Sequence, residues 1–145
     1  MSDVAFSQTV TMHDLLTLTD GRNARPFLTS RHFTITSTIS PPNRNFPITY
    51  YSVHPHSSNS ETIITGFGST THTGAYLHDI VYQTKDLDYI NALTKQIQQL
   101  HFLFKKKTDK SYVTIYEYDA PGMYILVNIQ KRPELEHSIM LRHIF

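Results

Sequence analysis

The sequence predicts an α+β fold, a mostly antiparallel sheet carrying one principal helix. Three observations lead there. One long stretch, about 86–104, repeats Leu87, Ile90, Leu93, Ile97, Leu100 and Phe104 at three- and four-residue spacing, a single apolar stripe on a helix. Most of the remaining chain falls into short runs rich in β-branched and aromatic residues. Turn-forming clusters separate those runs, among them Pro41-Pro42, HPHSSNS at 54–60 and APG at 120–122.

Taken in order, TVTMHDLLTL at 9–18 reads as a short helix, broken by the DGRNARP that follows. A strand over 31–39 stops at the proline pair. FPITYYSV at 46–53 is the next strand. ETIITGF at 61–67 and AYLHDIVYQ at 75–83 follow, joined by a loop around GSTTHTG. Asp86 and Asp88 occupy the first turn of the main helix and the lysine run succeeds its end, as the helix dipole favours. SYVTIYEY at 111–118 alternates like a strand. MYILVNIQ at 123–130 is apolar on both faces and so belongs inside the sheet. Pro133 opens a break before a last strand near 137–144. Nothing repeats at the level of sequence and no linker divides the chain, so residues 1–145 read as one domain.

Composition is that of an ordinary globular domain, 39% hydrophobic and 17% charged, with no low-complexity block. The absence of cysteine excludes disulfides and thiolate metal sites. No apolar run approaches the roughly 18 residues of a membrane span, and the first residues lack a signal-peptide core. A cytoplasmic domain with no membrane partner is the expectation. Net charge is only +1, but it is unevenly spread. No Asp or Glu lies between Gly21 and Ser60, where Arg22, Arg25, Arg31 and Arg44 fall. Lys105, Lys106, Lys107 and Lys110 form a second basic cluster. Two basic regions in a nearly neutral chain suggest one anion site, both clusters bordering the same cleft. The plain alternative is solvated loop charge.

RHFTIT at 31–36 carries the sharpest signal. Strand alternation puts His32, Thr34 and Thr36 on one face and Phe33 and Ile35 on the other. YVTIY at 112–116 shares the same layout, with Tyr112 and Thr114 on one face of a strand just after the main helix. An exposed strand face would explain either motif alone. Two such motifs resemble the two-histidine phosphoesterases, whose signature is a pair of apolar-His-x-Thr/Ser-apolar segments on strands of a pseudo-symmetric, bilobal sheet. The spacing is most similar to the viral 2′,5′-phosphodiesterases of rotavirus, coronavirus and torovirus, and the likeness spans about residues 25–130.

The resemblance implies that this domain binds or cleaves 2′,5′-oligoadenylate or a related short RNA, blunting the RNase L response from the host cytoplasm, with no metal or other cofactor. His32 and Tyr112 would occupy the proton-transfer positions and Thr34 and Thr114 would hold phosphate oxygens, while Arg31 and Lys110, from the two basic clusters, are the further expected substrate-binding residues. One departure matters. Tyr112 stands where the family has its second histidine, and a phenol with an ordinary pKa near 10 shuttles protons poorly at pH 7. Catalysis is therefore expected to be weak or absent while binding persists.

Two other readings compete. His54 and His56, with Tyr82 as nucleophile, resemble the metal-dependent HUH nickases, although Pro55 between the histidines suits a central strand badly. Without catalysis, the chain is a binding or structural domain with a protein partner. A metal site from His54, His56, His72 and His78 lacks the carboxylates or cysteines that ordinarily complete one. The Gly- and Thr-rich segment 66–74 has backbone donors that suit a phosphate but matches no P-loop. Tyr112, Tyr116 and Tyr118 could stack bases, or simply pack across strands.

Overall fold

The computed structural model describes residues 9–19, 24–42, 47–70 and 76–144. Its elements run α1 (Met12–Leu18), α2 (Ala24–Ser30), β1 (Thr34–Ile39), β2 (Ile48–Val53), β3 (Glu61–Thr70), β4 (Tyr76–Thr84), α3 (Leu87–Gln99), β5 (Leu103–Asp109), β6 (Val113–Ala120), β7 (Met123–Gln130) and β8 (His137–Ile144). The strands form one antiparallel sheet of eight in the order β1-β2-β3-β4-β8-β7-β6-β5. The fold is α+β as expected, with α3 the principal helix.

The helices share one face of the sheet. Asp86 caps α3, its carboxylate accepting from the amides of Asp88 and Tyr89 at 3.0 and 3.4 Å. Ile90, Leu93 and Ile97 are fully buried against Ile80, Tyr82, Ile125, Val127, Ile139 and Leu141, alternate residues of the central strands. Thr11 caps α1 in a reciprocal box with Asp14, and Gln96 of α3 accepts from the Met12 amide at 2.7 Å. Met12, Leu15, Leu18 and Leu28 complete the same core.

No described helix packs on the other face. Cross-strand register lines up Ile64, Val81, Met140 and Leu126 along its middle. Beside them runs a row of small uncharged polar residues, Ser52, Thr62, Gln83, Ser138 and Asn128.

The strand order reads the same from either end once β1–β4 are exchanged for β5–β8. The two halves join at the antiparallel β4–β8 seam, where Asp79 faces Arg142, Val81 faces Met140 and Gln83 faces Ser138. The edges follow the same symmetry, since β1 carries an irregularity between Ile35 and Ser37 and β5 one between Phe104 and Lys106. The chain thus folds as two topologically equivalent four-strand meanders, although its sequence shows no repeat.

Several expected boundaries move. The helix ends at Gln99, so Leu100 is a half-exposed cap residue and Phe104 lies in a strand. The lysine run is strand β5, not a tail after the helix. Helix α2 occupies part of the segment read as a breaker. Strand β1 begins at Thr34, leaving Arg31 and His32 outside it. No described helix is long and apolar enough to cross a membrane.

Candidate functional site

The backbone explains His32. It is the left-handed residue, φ 71°, that ends α2. Its amide donates to the Thr29 carbonyl at 3.0 Å, and the Phe33 amide reaches back to the Leu28 carbonyl at 2.9 Å. That is the double hydrogen bond of a Schellman cap, with Phe33 and Leu28 both in the core. Helix α3 ends in the same way. His101, φ 65°, donates to the Gln98 carbonyl at 3.1 Å, and Phe102 donates to Ile97 at 3.4 Å. The counterpart of His32 is therefore His101, not Tyr112.

The two motifs are not brought together. Thr34 lies on edge strand β1 and Thr114 on β6, first and seventh in the sheet. Six strand spacings put them on the order of 29 Å apart along the sheet. Thr34 donates toward the Ser52 carbonyl at 3.4 Å, and Thr114 to the Asp109 carboxylate at 3.0 Å. Arg31 bridges Asp14 at 3.3 Å and lies over the Phe27 ring. The two basic clusters fall at opposite edges as well, with Arg25 and Arg31 beside β1 and the lysines on β5; Arg22 and Arg44 lie outside the described residues.

The nickase constellation does not assemble either. His54 and His56 are exposed in the β2–β3 loop, both at positive φ, while Tyr82 is fully buried on β4. Tyr82 donates to Glu61 at 2.7 Å, and burial together with that carboxylate raises its pKa far above the ordinary range, so no phenolate forms there. Every non-glycine residue at positive φ among those described is a histidine: 32, 54, 56 and 101. Part of the chain's histidine content thus serves turns, not chemistry. His72 lies outside the described residues. His78 sits across the seam from His143, its Nδ1 against the Thr19 carbonyl at 2.5 Å. No group of three metal-binding side chains exists among the described residues.

Sequence reasoning missed Glu61, a carboxylate 1% exposed beneath the helices. It accepts from the Thr9 amide, the Thr9 hydroxyl and Tyr82, tying the segment before α1 to the sheet. A glutamate heading an apolar strand was the available sign. His137, also buried, has its pKa lowered by desolvation, and its Nδ1 accepts from the Gln130 amide at 2.9 Å.

The β5 edge has a different character. Lys105 faces Asp119 at 3.7 Å and Lys131 binds Asp109 at 2.6 Å, but Lys106, Lys107 and Lys110 have no carboxylate partner among the described residues. The Lys131 bond, with a further one from Thr114, holds the Asp109 carboxyl below its usual pKa. Lys107 lies 5.6 Å over the Tyr116 ring. Phe104 and Tyr112 are 52% and 57% exposed, beside these cations in the chain.

The caps yield a direct expectation. A left-handed backbone costs an L-residue roughly 1–2 kcal/mol, and glycine escapes that cost for an entropic penalty of about 0.5–1 kcal/mol. His32→Gly and His101→Gly should each stabilise the fold by about 0.5 kcal/mol in denaturant titrations. A loss of stability in either would show that the imidazole makes a contact of its own.

Compared with protein-family models, with curated proteins and with solved structures, the chain matches none.

Proposed function

We propose that the protein binds short single-stranded nucleic acid, oligoadenylate included, along β5, and holds its phosphates without cleaving them. The observation that carries this reading is the set of cations along the β5 edge, Lys106 and Lys107 on its two faces and Lys110 just beyond it, none in a salt bridge among the described residues while their neighbours Lys105 and Lys131 are neutralised. Exposed Phe104 and Tyr112 offer ring faces beside it. Cations tracking a backbone, with aromatics for bases to stack on, are what a single strand requires. Lysines on an edge strand also deter unwanted strand pairing. That role alone leaves the exposed aromatics without a purpose. Cleavage forms no part of the proposal, because His32 and Thr34 stand at the opposite side of the sheet.

The test is fluorescence anisotropy with labelled 2′,5′- and 3′,5′-linked oligoadenylates at rising salt. Three lysine–phosphate contacts on a single strand give a slope of log K against log salt of about −2. Replacing the three lysines with glutamine should flatten that slope. Tyr112→Ser should weaken binding roughly 5- to 100-fold if one base stacks there. A difference between the two linkages would define the substrate class. Absence of binding at low salt, or a slope that survives loss of the three lysines, would overturn the proposal.

A further inference from the structure

We infer that the helix-free face of the sheet is a self-association surface, closed by a second copy of this chain. The size is right. Eight strands at about 4.8 Å spacing, each about eight residues long at 3.4 Å rise, present roughly 1,000 Å². A standard interface needs about 800 Å² from each partner.

The chemistry is right as well. The middle of the face is apolar, with half-buried Val81, Met140 and Leu126 in one cross-strand row that ends at the already buried Ile64, flanked by uncharged polar residues. Charges stay toward its ends, where Arg142 clasps Asp79 at 2.8 and 2.9 Å and Lys105 faces Asp119. Lys106 stands opposite Glu117 in register at the β5 edge without forming a salt bridge, so the face as a whole carries three cations and three carboxylates. An apolar centre with a charged rim is the anatomy of a protein interface. Nucleic acid would find no unpaired cation at that centre. A copy of the same face brings no net charge of its own, and a two-fold arrangement meets itself without like-charge contact at the middle. The Val81–Met140 pair at the centre of the seam is where such an arrangement is most sensitive. Sheets stacked in this way lie about 10 Å apart with their side chains interleaved.

The test measures mass in solution, on protein freed of nucleic acid, so that failure of oligonucleotide binding leaves the result intact. Wild type should sediment as a dimer, twice 16.8 kDa, at micromolar concentration. Met140→Glu should run as the monomer with an unchanged circular dichroism spectrum and thermal melt. Ser138→Arg, in the neighbouring polar row, should do the same and serves if the first variant fails to fold. Thr38→Lys places on edge strand β1 the kind of charge that β5 already carries, and should leave the dimer whole. A monomeric wild type would overturn the inference. So would a dimer that Thr38→Lys breaks and Met140→Glu does not, which would place the contact at the β1 edge.

Discussion

Ile97→Asp unfolds the domain. Ile97 is fully buried on α3, and its carbonyl accepts the amide of Phe102 at 3.4 Å in the cap that ends the helix. Removing the side chain from the core forfeits roughly 1.5–3 kcal/mol of burial. The aspartate that replaces it must be buried either charged or protonated, which costs several kcal/mol more. Domains of this size have only about 5–15 kcal/mol to lose. No cooperative thermal transition should remain, whereas Ile97→Val should cost about 1 kcal/mol and keep one. A melt within a degree or two of wild type would show that α3 does not seal the core.

Gly66→Ala is the second large effect. Gly66 lies where the β3–β4 register breaks, between Ile64 and Phe67, with φ +97°. A Cβ there would stand 2.1 Å from the carbonyl oxygen of Pro47 and 2.9 Å from the Cα of Ile48. Both are backbone atoms leading into β2 and cannot swing aside as a side chain would. Strain at a left-handed residue together with that collision should cost roughly 3 kcal/mol. The midpoint would fall by roughly 10 °C. Gly122 is the internal control, because it too has positive φ, +73°, but the nearest atom to its Cβ is the Ile144 carbonyl oxygen at 3.8 Å. Gly122→Ala should therefore cost only about 1 kcal/mol. Equal losses at the two glycines in a denaturant titration would refute the close approach of β2 to β3.

The parts legible from sequence were those written in side-chain periodicity. Leu93 and Ile97 announced the buried stripe of α3, and strands 123–130 and 137–144 carried their own boundaries. The end of α3 was not legible, because Leu100 and Phe104 continue the helical spacing beyond it. The usual stop signal, a glycine in the left-handed position, is replaced there by His101. The same substitution at position 32 made a cap look like a strand residue with chemistry. The pseudo-symmetry of the strand order was hidden for a related reason. Its halves share His-Phe after a helix and a register break in the edge strand, but little else between TITSTI and LFKKKTD. Aligning on His-x-Thr therefore paired position 32 with 112, where the fold pairs it with 101. Of the proposed site residues, Lys110 and Tyr112 do stand beside the β5 cations, while His32, Thr34 and Arg31 belong to the far edge.

The palindromic strand order also governs how the chain reaches its fold. Each half is a meander of near neighbours, whose turns close over short loops. The halves meet in the sheet only where β4 pairs with β8, so residues 77–84 must find residues 137–144 across everything between them. Closing so long a loop carries the largest entropic cost of any strand pairing here. Low contact order favours forming the local meanders first, so the seam is expected to set the rate of folding. Until it closes, both inner strands are raw edges, and the β8 of one unfinished chain fits the β4 of another as well as its own. Crowded refolding is therefore where this architecture is most exposed to exchanging halves between molecules.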